Sequence, residues 1–294
     1  MNATAQSLVN GLVSGTGYGL IAISFALIYN TTHFFNFAHG VVYTIAAYIA
    51  FVLMTNAQTS APIAVLGALF GATMLGLLIE VSVFRPLRRR RGSSVIFLLA
   101  SLGVVIALQN CVSIIFGDGL RSLPGLTVRS GYLIAGARIT SAQIVIILVG
   151  FGVFILTDLG LRYTRLGRAL RAIANDKELS QVVGIDSEKM VLVAFLLGSF
   201  LVGSAGVLIA FDTGLQPMMG FSALLFGVVA IVVGGVGKTT GAFWGGIIIG
   251  MAQQISAWVL PSKWQDAIVF VILIGFLLFR PQGLFGTPLR KISV

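Results

Sequence analysis

Charge is what this sequence has least of. Its 294 residues carry 19 Lys and Arg and 9 Asp and Glu, 10% together, against roughly 25% in a soluble globular protein. From Met1 to Ile79 there is none at all. So few charges cannot cover the surface of a water-soluble particle of this size, which excludes a soluble enzyme, and the apolar wealth of the chain excludes a disordered tail. Cysteine is nearly absent too. Cys111 stands alone in an apolar run, which excludes a disulfide scaffold and a thiolate metal cluster and leaves it to pack as a small hydrophobe. The only histidines, His33 and His39, lack a metal-ligand spacing and have no Asp or Glu within forty residues. No nucleophile and base come together in sequence, so an intramembrane hydrolase has no support. A basic leader with a small-residue cleavage site is also missing, so the first apolar run is expected to be retained.

What the chain does have is apolar length. Hydrophobic residues make up 57%, and a bilayer core needs about 20 of them in a row per helix. Runs fall near Leu8–Tyr29, Ala38–Met54, Pro62–Phe84, Ser94–Phe116, Ser141–Leu161, Met190–Phe211, Ser222–Val236, Gly241–Leu260 and Gln265–Phe279. The expectation is an all-α integral membrane protein, a polytopic bundle of eight to nine transmembrane helices, with a re-entrant segment as the alternative for a short run. The net charge of +10 sits largely in Arg85–Arg91 and in the loop of residues 162–189. Basic clusters beside apolar spans mark cytoplasmic loops, so this charge points to topology and not to nucleic acid. Nine spans put both clusters and the tail residues Arg280, Arg290 and Lys291 on one side. The loop of residues 117–140, with Arg121, Arg129 and Arg138, falls on the other.

Gly11, Gly15 and Gly19 recur every fourth position, as do Gly237, Gly241 and Gly245, and then Gly246 and Gly250. Small residues at that spacing let helices in lipid approach closely. Gly234–Thr240 reads GGVGKTT, which resembles a phosphate-binding loop, but the first glycine of that motif would fall at Val232. Lys238 is therefore read as a lone charge in an inter-helix turn. Polar groups inside apolar runs are costly in lipid. Asn36 and His39, Gln109 and Asn110, and Gln253 either satisfy broken helices and glue spans together or line a translocation path. Glu80, one turn from Arg85, is expected to pair with it. In the long basic loop, Leu166, Leu170 and Ile173 form an apolar stripe. Asn175-Asp176 offers an N-cap, Gly184 a helix stop, and Asp186 or Ser187 caps the next span. A rigid lever and an ordinary amphipathic connector both fit that pattern.

Four motifs in register then carry a resemblance over nearly the whole chain. Gly19–Tyr29 with Asn36-Phe37-Ala38-His39-Gly40 is similar to the opening of the branched-chain amino acid ABC importer permeases, the first subunit of their pair. Phe84-Arg85-Pro86-Leu87-Arg88 resembles that family's basic loop. Thr164–Ala169, on through Ala174, Glu178 and Gly184-Ile185, resembles its ATPase-coupling loop. Gly234–Gly246 and Phe279–Gly286 resemble its closing segments. Asn30 and Lys238-Thr239-Thr240 depart from the usual pattern. The resemblance implies a single permease domain over residues 1–294 in a prokaryotic inner membrane, with coupling through Arg165, Arg168, Asp176, Glu178, Gly184 and Asp186. It implies no cofactor in this chain, because ATP is bound by two cytoplasmic ATPase subunits. A second permease and an extracytoplasmic binding protein complete the set, and the cargo is a branched-chain or other apolar amino acid. Urea or short amides are the alternative cargo, and a passive channel the alternative class.

Overall fold

The computed structural model describes residues 3–124, 131–134, 136–258, 260–261 and 264–286. Arg129, Arg290 and Lys291 lie outside them. Helices dominate: α1 (Ala3–Thr32), α2 (Ala38–Thr55), α3 (Ala61–Ile79), α4 (Arg85–Arg89), α5 (Ser94–Phe116), α6 (Ser141–Tyr163), α7 (Arg165–Asn175), α8 (Lys177–Val182), α9 (Ser187–Thr213), α10 (Met219–Gly234), α11 (Thr239–Ser256) and α12 (Gln265–Phe279). Among the described residues a small antiparallel pair, β1 (Tyr132–Ile134) and β2 (Ala137–Ile139), forms the one sheet, with Tyr132 opposite Ile139.

Among the described residues six helical stretches are long and apolar enough to cross a bilayer: α1, α2, α3 continued through α4, α5, α6 and α9. Helices α10 and α11 pass that test only together and are bent by 116° at the break between them, while α12 has 15 residues. The count by length is thus six, or seven with the bent pair as one span, where the apolar runs alone led to eight or nine. The reason is local. Gly234–Gly237 breaks an otherwise continuous run, and the 16 residues of α10 extend about 24 Å where a bilayer core is about 30 Å thick.

The core is built around α1, which is enclosed by α9, α10 and α11. Its glycines set the distance to α11. A Cβ at Gly11 or Gly15 would stand 2.8 Å from the Cα of Met251 or Ile247, and one at Gly19 would strike the Phe243 ring. In return, Gly246 and Gly250 of α11 lie against the backbone of α1 at Gly19 and Gly15. The contact order runs backwards along α11, so the two helices are antiparallel. The opposite side of α11 repeats the device: Gly241 and Gly245 lie on the backbone of α10 at Gly234 and Ala230. Gly237 does not belong with them. It sits at φ +101° in the turn before α11, with nothing within 4 Å of a would-be Cβ, so its task is the turn and not helix packing. Cys111 also departs from expectation, being exposed on α5.

The outer helices α3, α5, α6 and α12 expose large apolar side chains such as Leu66, Phe70, Leu99, Ile114, Leu156 and Leu278. In water these patches would drive aggregation; in lipid they are the ordinary surface.

Gly246→Leu and Gly250→Leu should each destabilise the detergent-purified subunit by about 3 kcal/mol or more, at or beyond the upper end of overpacking costs, because backbone must yield. Gly103→Leu and Gly275→Leu, whose positions open onto free space, should keep the wild-type thermal midpoint. Equal behaviour of the two sets would show that the α1–α11 contact is not close-packed.

Candidate functional site

The basic end of the bundle carries the segment that joins α6 to α9. Thr164 serves two helices at once. Its hydroxyl donates to the Gly160 carbonyl at 2.6 Å, closing α6, and accepts from the Gly167 N–H at 3.0 Å, opening α7. Leu170 and Ile173 turn into the bundle and are buried, while Arg165 and Arg168 stay exposed, so α7 lies flat with its charges outward. Asp176 then ends α7 and caps α8, its Oδ1 accepting from the Leu179 N–H at 2.9 Å.

The tip is α8. Glu178 is exposed, and around it Leu179, Val182 and Val183 are 61, 83 and 68% exposed. Exposed apolar groups on a basic polar segment mark a contact surface. Sequence reasoning overlooked these three, although three large apolars within five residues of a short capped helix and its C-cap cannot all face inward. Gly184, at φ +86°, reverses the chain in a conformation that a side chain would oppose, and Ile185 N–H donates back to the Ser180 carbonyl at 3.0 Å. Asp186 caps α9 through the Glu188 and Lys189 N–H groups at 3.0 and 3.2 Å. The Lys189 backbone bond is the chief cause holding the Asp186 carboxyl below the usual carboxylate range. Gln181 Nε2 donates to Ser187 Oγ at 2.9 Å, tying α8 to α9.

A partly buried ion network fastens α9 to the end of α3. Arg88 Nε donates to Glu188 Oε1 at 2.7 Å and Nη2 to Oε2 at 3.0 Å, while Nη2 also reaches Glu80 Oε1 at 2.5 Å. The Glu80 side chain is wholly buried. Its partner is therefore Arg88, not Arg85, which instead lies 3.7 Å from Glu188. A π turn over Glu80–Phe84 is responsible. In an unbroken α-helix the residue two turns beyond Glu80 is Leu87; a turn widened by one residue brings Arg88 there instead.

The candidate path residues do not form one lining. Asn36 and His39 lie together at the break between α1 and α2, both buried, with His39 Nε2 2.9 Å from Ser24 Oγ. They share a small pocket with Gly76, Phe195 and Ser199. Asn36 Oδ1 and Ser199 Oγ have no hydrogen-bond partner there. His33 is exposed at φ +58° and forms no pair with His39. On α5, Gln109 is half-buried beside the inward stripe of Phe97, Ser101, Val105 and Val112, while Asn110 is exposed and its Nδ2 donates to the Ile106 carbonyl one turn back at 2.7 Å. Gln253 belongs to a third place, between Tyr18 and Asp266 at 2.9 and 2.8 Å, neither of which the sequence singled out.

Comparison with known proteins covers nearly the whole chain. Residues 7–277 match the family described as branched-chain amino acid transport system permease component. The high-affinity branched-chain amino acid transport system permease protein BraD of Pseudomonas aeruginosa is 37% identical over 297 residues, covering 96% of each chain. LivH of Salmonella typhimurium, of the same description, is 35% identical over 298 residues, again 96% of each. A probable LivH of Methanocaldococcus jannaschii is 29% identical over 93% of this chain and 90% of its own.

Arg88→Ala should destabilise the purified protein by about 3–5 kcal/mol, since it leaves Glu80 buried without a counter-charge. Arg85→Ala, at the half-exposed rim of the network, should cost under about 1 kcal/mol. Equal losses in thermal unfolding would mean that Glu80 does not depend on Arg88.

Proposed function

This chain belongs to the family of branched-chain amino acid transport system permease components, and from that premise we propose how it works within an ATP-binding-cassette importer. It is a multi-pass membrane protein and a transport subunit, not an enzyme in its own right. In this reading residues 1–294 form one permease domain in a prokaryotic inner membrane, with the basic end in the cytoplasm. Helices α10, α11 and α12 each count as a pass, which makes nine, with α10 starting below the outer surface. A second permease, two ATPases that bind the ATP and an extracytoplasmic binding protein complete the machine. The cargo is a branched-chain or related apolar amino acid, supported over urea or amides by what the relatives are named for.

The observation that carries the mechanism is the unbroken chain of stiff links from α8 to the Asn36 pocket. Helix α8 is capped by Asp176 and bonded to Ser187 at the head of α9. The next residue, Glu188, is held by Arg88 and through it by Glu80 of the π turn after α3. Farther along α9, Phe195 and Ser199 wall the pocket of Asn36 and His39. An ATPase docked on Glu178, Leu179, Val182 and Val183 would thus move α9 as a rod. Asn36 Oδ1 and Ser199 Oγ, buried without partners, each raise the free energy of this arrangement by about 1–3 kcal/mol. A second arrangement that supplies those partners would lie close in energy, and ATP binding elsewhere need only shift the balance.

Glu178→Arg and Gly184→Val should leave the permease inserted and stable but lower ATPase co-purification and amino-acid uptake together, by about tenfold or more for the charge reversal. Wild-type levels of both in the two variants would remove this segment as the coupling element, and uptake that persists without any ATPase would favour a passive channel. In a Cys111→Ser background, cysteines at Arg90 or Asp176 should react only with reagents that reach the cytoplasm, and one at Gly119 from outside. Labelling of all three from one side would overturn the orientation.

A further inference from the structure

The basic end holds an open cavity of about 510 Å³ between the ends of α1 and α6, α7 and the α10–α11 turn. Arg162, Arg171 and Lys238 reach it from three different elements, beside Asp158 and the threonines Thr239 and Thr240. Lys238 is therefore not the lone turn charge that its sequence neighbours imply. Asp158 neutralises one cation, with its Oδ2 2.9 Å from Arg162 Nε. Among the described residues no carboxylate lies within 4.0 Å of Arg171 or Lys238, so the cavity keeps two cations in surplus. Arg171 Nη2 donates to the Arg162 carbonyl at 3.2 Å, which holds its guanidinium across the mouth. Helix α11 begins at the same wall with no side-chain cap, and the free N–H groups of its first turn add to the positive potential.

A second feature leads into this mouth from the membrane side. Positions 148, 152, 155, 159 and 162 of α6 alternate in steps of four and three and so share one face. Leu148, Ile155 and Leu159 on it are 68, 50 and 46% exposed. Gly152 among them has nothing within 4 Å of a would-be Cβ, which leaves a shallow furrow. The strip ends at Arg162. An apolar furrow that rises into an uncompensated pair of cations has the polarity of an amphiphile: hydrocarbon below, anion above. Basic pockets between helices at a membrane surface take anionic headgroups on this principle.

We propose that this cavity holds the phosphate of a phospholipid whose acyl chain lies along the α6 furrow. The headgroup then joins Arg171 of α7 to Lys238 of the α10–α11 turn, two like charges more than sixty residues apart that an anion between them can bridge. Charge complementarity alone would admit free phosphate equally; the furrow selects the lipid. The site requires only that the chain be embedded in a bilayer, so it stands or falls separately from the coupling role of α8.

The test is native mass spectrometry of the importer complex, extracted from bilayers of equal phosphatidylglycerol and phosphatidylcholine. The permease should retain phosphatidylglycerol in preference. Arg171→Gln with Lys238→Gln should weaken that retention by about thirtyfold, taking the usual contribution of two surface cations. Lys238→Arg should preserve it, as should Arg89→Gln with Arg90→Gln, a basic pair outside the cavity. Leu159→Asp should reduce retention of the lipid without changing binding of inorganic phosphate. Equal retention of the two lipids, or undiminished retention in the double variant, would overturn the site. Full displacement of the lipid by inorganic phosphate alone would make free phosphate the occupant and overturn the lipid assignment. Loss of a co-purifying ATPase from the double variant with lipid retention intact would make the cavity a protein contact and defeat the proposal.

Discussion

Everything in this bundle hangs on how closely α1 can approach α11. Between helices in lipid there is no hydrophobic gain from exchanging a lipid tail for a leucine, so dispersion and close backbone approach must hold the pair. Glycines at 11, 15 and 19 on one side and at 246 and 250 on the other remove the side chains that would keep the backbones apart. The glycines at 241 and 245 seat the next face of α11 on α10. Once α1 is enclosed by α9, α10 and α11 it has no route by which a charged side chain could reach water. The absence of charge along α1 is the same constraint seen in sequence. Some polar groups along α1 are satisfied within the helix, Thr16, Ser24 and Thr31 donating to carbonyls one turn back, and others by neighbouring helices, as Tyr18 is by Gln253.

A second strategy is added at the basic end. There ions and caps join the helices alongside glycine contacts, and several of the joints are doubled. Thr164 closes one helix and opens another, Asp176 does the same, and Arg88 grips two carboxylates that belong to different spans. Charge-assisted bonds in partly buried surroundings are short and directional, so they resist sliding where the glycine faces would permit it. Close-packed glycine surfaces in the membrane with rigid joints at one end describe a structure in which whole helices can move as units.

Much of this was legible beforehand. Apolar length located the helices, the four-residue glycine spacing located the packed faces, and Asp176, Gly184 and Asp186 were readable as caps and a stop because those signals are local. What was not legible depends on geometry that no single segment encodes. Helix α5 is apolar all round, so its sequence could not tell which face carries Gln109 and Asn110. The π turn that hands Glu80 to Arg88 is invisible to any count that assumes one helical period. Gly237 shares the spacing of the packing glycines but falls after the break, where the chain needs a turn. Lys238 and Arg171 are neighbours only because α1, α6 and α11 bring their loops together.

That convergence bears on why the positive charge lies where it does. Basic residues at one end of a membrane protein are usually explained by orientation alone, and orientation asks only for number and side. Here the individual positions are differentiated. Arg85 and Arg88 are consumed by Glu80 and Glu188, and Arg162 by Asp158, whereas Arg165 and Arg168 are exposed along α7 and Arg171 and Lys238 face a cavity. Any of them would have served topology equally from any nearby position. Their division into a buried clamp, an outward face and a lined cavity therefore reflects a second set of requirements, set by what the basic end must hold together and what it must leave open to contact.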